Sequence, residues 1–195
     1  MHLLWTAQIV RASKEAFIHG GMMPNFHDLP IGDDFPTRVN VVIEIPRGAH
    51  TKYEYDAQPG LFRLDRVLYA AVHYPTAYGF IPQTRWDDGD PLDILLVLQE
   101  ALCPGCLVEA SPLALLQMQD EKGRDDKVLS VVLGDPVYAT AHSLQDVPPH
   151  IPREIEHFFM TYKLLEGKPV QSFGWADMEA AHQAIVHAHT AYLQP

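Results

Sequence analysis

Basic residues are scarce in this chain. Its 195 residues include 14 lysines and arginines against 25 aspartates and glutamates, so the formal net charge is −11. This deficit argues against nucleic acid and anionic membrane surfaces as partners, because both select a basic protein face. A small anionic ligand is still compatible with the composition, since bound metal ions can reverse the local sign of charge.

Long apolar stretches are also lacking. None is long enough to span a bilayer, so we expect no membrane partner. The short apolar run at residues 3–10 is broken by Arg11 and has neither a basic leader nor a clear cleavage site, which argues against a signal peptide. We predict a disordered or non-native N-terminal extension at residues 1–22, a single domain at residues 23–195, and a cytoplasmic location.

Cysteine is represented by only two residues, Cys103 and Cys106, which flank Pro104-Gly105. A zinc site would need two further ligands at suitable spacing, and the chain has no second cysteine pair. A redox motif would need a strand-to-helix context, whereas Pro-Gly is typical of a tight turn between strands. We interpret the pair as two thiols beside a turn in a reducing cytoplasm.

Carboxylates, in contrast, are concentrated in the segment Asp88-Gly89-Asp90-Pro91-Leu92-Asp93. Such a cluster repels itself unless solvent or a cation neutralises it, and hard divalent cations prefer carboxylate oxygens as ligands. The apolar run at residues 94–98 predicts a buried strand, which would fix the carboxylates at the end of a rigid element. The segment is not an EF-hand loop, because Leu92 and Gln99 occupy the fifth and twelfth positions of that loop.

Hydrophobic periodicity predicts several short strands followed by two helices. The predicted strands are residues 39–45, 52–56, 61–67, 94–99, 106–109, 113–119 and 127–133. The helical stripes begin at Ile151 and after Asp177, a suitable N-cap residue. This order favours an α+β, mainly β fold in which helices flank a small closed β-barrel.

Charged and phenolic side chains recur along these predicted strands and loops. The acidic candidates are Glu44, Glu54, Asp88, Asp90, Asp93, Asp120, Glu121 and Asp125. The basic and phenolic candidates are Lys52, Arg66, Lys127, Lys163, Tyr74, Tyr78 and Tyr162. If a barrel face brings both sets together, the carboxylates would hold cations while lysine and arginine bind anionic oxygens, a combination that suits phosphoryl transfer.

Taken singly, these residues have plainer interpretations. Lys52 and Glu54 alternate with tyrosines as the wet face of a half-buried strand would, and Glu44 fits an edge strand facing water. Tyr162 lies on an apolar helical stripe and fits the core. Two functions without catalysis therefore stay open: a divalent-cation-binding protein, and an oligonucleotide-binding β-barrel that the acidic charge disfavours.

Residues 88–94 resemble the D-x-D-P-x-D signature of family I soluble inorganic pyrophosphatases. Six further segments agree with that family in order and spacing: residues 42–46, 52–56, 64–66, 74–82, 120–127 and 157–163. The resemblance implies an OB-like, five-stranded closed β-barrel flanked by two main α-helices. It also implies hydrolysis of inorganic pyrophosphate to two orthophosphates by a metal-activated water, and a homohexamer of the bacterial type.

The resemblance implies a metal-binding role for five carboxylates. Asp88, Asp93 and Asp125 would bind the tightest metal ion, and Asp93 would also serve a second. Asp120 and Asp125 would bind a third ion and Glu44 would help to hold a fourth. Mg²⁺ is the expected cofactor, at roughly three to four ions per site with substrate, and Mn²⁺ or other divalent cations are possible substitutes.

The remaining matched residues would act on water and phosphate. Asp90 would accept a proton from the attacking water as general base. The phosphate groups would be held by Lys52, Arg66, Tyr78, Lys127, Tyr162 and Lys163. Supporting roles would fall to Glu54, Tyr74 and Glu121. These basic side chains would explain how so acidic a chain binds an anion.

Overall fold

The computed structural model describes residues 25–194, and the predicted extension at residues 1–22 lies outside them. In that range the chain forms strands β1 (Val39–Ile45), β2 (Thr51–Asp56), β3 (Leu61–Val67), β4 (Ala77–Phe80), β5 (Asp93–Val97), β6 (Leu107–Asp120), β7 (Gly123–Arg124) and β8 (Lys127–Val132), helix α1 (His150–Thr161), strand β9 (Gln171–Ala176) and helix α2 (Met178–Leu193). Both predicted helices are present. The mainly β composition with two α-helices confirms the predicted fold class.

Five of these strands close into a ring. β1 pairs with β4, β4 with β5, β5 with β8, β8 with β6, and β6 returns to β1. The β5–β8 pair is parallel and the other four pairs are antiparallel. Closure pairs the edges that an open sheet would expose. The predicted five-stranded closed β-barrel is confirmed.

The remaining elements attach to the outside of this ring. β2 and β3 form a separate two-stranded sheet, while β7 and β9 both pair with β6. α2 buries one face in the core, because residues three and four apart share a side of a helix. That face consists of Ala181, Ala184, Ile185 and Ala188.

Strand β6 differs from its prediction. Two strands were expected at residues 106–109 and 113–119, whereas one strand of 14 residues runs from Leu107 to Asp120. Pro112 normally argues against the middle of a strand, but the β6–β8 register shifts between Pro112 and Ala114, and proline is tolerated at such an irregularity. Strands β4, β7 and β9 were not predicted at all.

A close approach of two backbones fixes one glycine in the barrel wall. Gly79 of β4 lies opposite Ile43 of β1, and a Cβ atom at this position would collide with the carbonyl group of Val42. Only glycine lets β4 pack this tightly. This close packing also fixes the position of the neighbouring Tyr78 in β4.

Candidate active site

One cleft collects almost every residue predicted for the site. The predicted residues that line it are Glu44, Lys52, Glu54, Arg66, Tyr78, Asp88, Asp90, Asp93, Asp120, Glu121, Asp125, Lys127, Tyr162 and Lys163. Tyr74 is the exception, since it does not line the cleft. It is buried, and its ring centroid lies 5.8 Å from that of Tyr78. When each residue was interpreted singly, as a surface or core position, this folding of distant segments around one cleft was not predicted.

The parallel β5–β8 pair brings acid and base together at one rim. Asp93 and Lys127 begin their strands and lie opposite each other in the register. The Nζ atom of Lys127 donates to Asp93 Oδ2 at 2.6 Å and to Asp125 Oδ1 at 2.8 Å. Burial opposes charge on this lysine, but Asp125 and Asp93 outweigh that effect and raise the Lys127 pKa. Lys127 is therefore a buried cation held between two carboxylates.

A second lysine holds the acidic hairpin at the end of β6. Lys163 follows α1, and its Nζ atom lies 2.7 Å from Asp120 Oδ2 and 3.8 Å from Glu121 Oε2. Burial acts to raise the Asp120 pKa, but the hydrogen bonds from Lys163 and from the Lys122 backbone outweigh it and lower that pKa. Asp120 is therefore ionised at neutral pH.

The β2–β3 sheet presents the other two predicted phosphate-binding cations. Lys52 pairs with Glu54, and its Nζ atom lies 3.4 Å from Asp65 Oδ2. Arg66 donates from Nε to Asp65 Oδ2 at 2.8 Å and from Nη1 to Glu166. Sequence reasoning missed Glu166, whose partner lies 100 positions earlier in the chain. No local pattern could have revealed this pairing.

Glu44 is a buried carboxyl group rather than an edge residue facing water. Its side chain sits in β1 with 9% of the residue exposed, and the backbone N–H of Tyr55 donates to its Oε1 at 2.7 Å. Burial is the main cause that raises the Glu44 pKa to about 8. The group therefore takes up a proton easily unless a cation is bound nearby.

The loop at residues 88–93 is tightly turned and partly open to solvent. Gly89 has φ of +93°, a conformation that favours glycine, and the Asp90 N–H donates to Asp88 Oδ1 at 3.1 Å. Burial, followed by the charge of Asp88, raises the Asp90 pKa. A carboxylate with a raised pKa is a better proton acceptor near neutral pH than an ordinary aspartate.

The phenols of Tyr78 and Tyr162 face the same carboxylates. Burial, together with the charges of Asp93 and Asp125, raises the pKa of each phenol well above its usual value. Both groups therefore stay protonated and can donate hydrogen bonds to an anion. Tyr162 is at once part of the core, as its helical stripe indicated, and part of the cleft wall.

The charges of the cleft fit oxygen-preferring divalent cations. Nine carboxylates and six lysine or arginine side chains line it, an excess of three negative charges when all are ionised. A polyanion would be repelled unless cations offset this excess. Among the described residues, no three histidine, cysteine or carboxylate side chains converge as a ready metal site. Lysine ammonium groups instead contact Asp93, Asp125 and Asp120.

The cleft also contains residues that were not predicted. His27, Trp86 and Lys168 line it, and so does Lys122, which was expected to be a solvated loop charge. Arg124 was also expected to be a solvated loop charge, but its guanidinium carbon lies 5.3 Å from the centroid of the Trp86 ring.

In the described part of the chain, no helix is long and apolar enough to cross a membrane.

The cleft combines carboxylates that can hold metal ions with lysines that can bind phosphate oxygens, which are the groups that metal-assisted hydrolysis of phosphoryl compounds requires. The family model described as inorganic pyrophosphatase matches residues 41–193, and the chain belongs to this family. Membership implies dependence on divalent metal ions.

Named relatives support the same assignment. The chain is 46% identical over 173 residues to an inorganic pyrophosphatase of Haloferax volcanii, with 88% of this chain and 97% of the relative covered. It is 48% identical over 166 residues to that of Thermus thermophilus, with 84% and 95% covered. A crystal structure of inorganic pyrophosphatase from Thermus thermophilus matches at a TM-score of 0.84 and 46% identity, covering 87% of this chain and 99% of that chain. This agreement also supports the OB-like description of the barrel.

Proposed function

We propose that this protein is an inorganic diphosphatase, which hydrolyses pyrophosphate to two orthophosphates by direct in-line attack of water. The observation that carries the proposal is the convergence of cations and excess carboxylates in one cleft of a chain that belongs to the pyrophosphatase family. The relatives named above are pyrophosphatases, which favours hydrolysis over a non-catalytic cation binder or an oligonucleotide-binding barrel. No covalent enzyme intermediate is needed.

Five carboxylates are proposed as metal ligands. Asp88, Asp93 and Asp125 would form the tightest site, Asp120 would contribute to a third site with Asp125, and Glu44 would help to hold a fourth ion. Mg²⁺ is the proposed ion, at roughly three to four per site with substrate, with Mn²⁺ as a substitute. When bound, such ions offset the charge of pyrophosphate and lower the pKa of water from about 16 towards about 7.

Asp90 is proposed as the group that accepts the proton of the attacking water. Its raised pKa and its position on a partly open loop support this role, because the base must be within reach of water that enters the cleft. The neighbouring Asp88 contributes its charge to the raised pKa of Asp90. The loop at residues 88–93 would thus supply two metal ligands and the general base.

The cationic side chains are proposed to bind the phosphate groups and stabilise the leaving one. This set comprises Lys52, Arg66, Lys127 and Lys163, with the phenols of Tyr78 and Tyr162 as hydrogen-bond donors. Each of these cations also contacts a carboxylate, so metal ions and phosphate groups would compete for side chains that are paired with one another in the structure. Glu54, Glu121 and Tyr74 would support Lys52, Lys163 and Tyr78, which they contact.

Residues 23–195 are proposed to form the single pyrophosphatase domain, with residues 1–22 as an extension outside it. The protein would work in the cytoplasm, and it would assemble as a homohexamer. Size-exclusion chromatography with light scattering would test the assembly.

Phosphate release from pyrophosphate, measured with and without Mg²⁺, tests the function. We expect Mg²⁺-dependent release, and a fall in kcat of about 10²–10⁴-fold in Asp90→Asn because a general base contributes about that much. Asp33→Asn is a matched control, since Asp33 is an exposed aspartate outside the cleft. Purified protein that releases no phosphate with Mg²⁺ would overturn the proposal.

A further inference from the structure

Trp86 directly precedes the acidic loop, and the proposed chemistry gives it no role. Its side chain is 6% exposed and belongs to the same core cluster as Ile185 of α2. Its backbone closes the loop, because its N–H donates to Asp90 O at 2.7 Å and its carbonyl accepts from the Gly89 N–H at 3.0 Å. Any shift of Trp86 is therefore transmitted to the loop at residues 88–93.

The indole also contacts the second acidic segment, residues 120–125. The guanidinium carbon of Arg124 lies 5.3 Å from the ring centroid, a cation–π arrangement. Arg124 is itself fixed, since its Nε and Nη2 atoms each lie 2.6 Å from Asp126 Oδ2. Asp126 is 2% exposed, and its Oδ1 accepts from the Met118 N–H at 3.0 Å. The contact thus joins Trp86 to the backbone of the hairpin.

Helix α2 holds the same region from the other side. The His187 ring meets the indole edge-on, with centroids 5.6 Å apart and planes at 90°. The preceding residue, Arg85, donates its N–H to Ala188 O at 2.9 Å, and its guanidinium donates to Gln194 O at 2.7 Å. Trp86 is therefore held by a rigid helix on one side while it contacts Arg124 on the other.

We propose that Trp86 is a positioning residue that, through Arg124, fixes the distance between the acidic loop at 88–93 and the acidic hairpin at 120–125. The inference rests on the proposed function, in which Asp88 and Asp93 share a metal ion with Asp125. The two segments carry like charges, and Lys127 offsets their repulsion only at Asp93 and Asp125. A direct contact that keeps them close lowers the cost of bringing the ligands together, and so strengthens binding of divalent cations.

Mg²⁺ binding without substrate, measured by isothermal titration calorimetry, tests the proposal. Trp86→Leu removes the aromatic face and Arg124→Gln removes the cation, whereas Trp86→Phe keeps an aromatic ring. We expect the Mg²⁺ dissociation constant to rise about fivefold in the first two variants and less than about twofold in Trp86→Phe, as loss of one cation–π contact implies. Arg63→Gln is the control, because Arg63 is an exposed arginine 2.6 Å from a single aspartate outside the cleft.

A double variant separates a direct contact from general loosening. If Trp86 acts through Arg124, then Trp86→Leu/Arg124→Gln binds Mg²⁺ no more weakly than the weaker single variant. Additive losses, or unchanged affinity in both single variants, would overturn the proposal. The side chain of Arg124 is 52% exposed, so Arg124→Gln decides the question even if Trp86→Leu fails to fold.

Activity and fluorescence complete the test. The variants should need more Mg²⁺ for half-maximal hydrolysis while kcat at saturating Mg²⁺ stays within about twofold, because the reacting groups are unchanged. Tryptophan emission should change on Mg²⁺ addition in the unaltered protein and in Trp175→Phe, but not in Trp86→Leu; a response lost only with Trp175 would contradict the proposal. Absence of any hydrolysis by the unaltered protein would contradict the proposed function. Equal Mg²⁺ affinities of the unaltered protein and the two single variants would contradict this inference alone.

Discussion

Replacement of Lys127 by methionine is the sharpest test of how the cleft is held together. Lys127 is 2% exposed and its Nζ atom contacts Asp93 and Asp125 at 2.6 and 2.8 Å. Lys127→Met keeps most of the side-chain volume but leaves both carboxylates without their cation. Removal of one partner of a buried ion pair costs about 3–5 kcal/mol, and we take about 3 kcal/mol because both aspartates keep some contact with solvent.

The loss should depend on pH with a definite sign. Burial already raises the pKa of Asp125 above its usual value, and in the variant that carboxyl group also loses the cation that favours its ionised form, so its folded pKa lies further above the unfolded value. A carboxyl group with a raised folded pKa destabilises the fold only once pH exceeds its unfolded pKa of about 3.9, and fully once pH exceeds the folded value. The free energy of unfolding of the variant should therefore be close to that of the unaltered protein at pH 4 and much lower than it at pH 7.5.

Thermal unfolding in EDTA measures this difference. A loss of about 3 kcal/mol lowers Tm by about 6–12 °C in a domain of this size. Added Mg²⁺ should raise the Tm of the variant more than that of the unaltered protein, since a bound cation replaces the missing charge. Lys122→Met, which removes an exposed lysine of the same cleft, should change Tm little. An equal fall in Tm at pH 4 and pH 7.5 would show that packing, not charge, explains the loss.

Two further predictions concern single carboxyl groups. The folded pKa of Glu44, about 8, lies above its unfolded value, so its ionisation destabilises the metal-free protein as pH rises. Glu44→Gln should therefore raise the free energy of unfolding in EDTA by about 3–5 kcal/mol at pH 9 and by nothing at pH 4; denaturant titrations that show no gain at pH 9 would contradict this. Glu166→Gln should release Arg66 and raise the KM for pyrophosphate about three- to tenfold with little change in kcat, as loss of a positioning contact of about 1 kcal/mol implies. The exposed Glu154→Gln serves as control, and steady-state kinetics that separate kcat from KM would decide.

The barrel was predictable where its strands show a clear pattern. β1, β2, β3, β5 and β8 begin and end within two residues of their predicted positions, because each is a short segment rich in apolar or aromatic residues between turn or loop residues. β4 is four residues long and wholly buried, so it shows no alternation, and Gly79 interrupts the strand propensity of its two aromatic residues. The length of β6 was misjudged because Pro112 marks a break in sequence but only an irregularity in the folded sheet.

The composition of the cleft was predictable from residue types and motif spacing, but the contacts within it were not. The motif in the loop at 88–93 indicates that Asp88, Asp90 and Asp93 act together. Nothing in the sequence near Arg66 points to Glu166, and nothing near Trp86 points to Arg124. These pairs arise from tertiary packing of segments far apart in the chain, which hydrophobic periodicity does not encode.

The parallel β5–β8 pair has a consequence for how the protein folds. Asp93 and Lys127 are 34 residues apart, and they meet only when β8 has been laid beside β5. Helices form from local contacts within microseconds, whereas pairings between distant segments are slow because they require large loops to close first. After dilution from denaturant, the helical signal of α1 and α2 should return before hydrolysis does. Recovery of activity then reports when the ends of these two strands come into register.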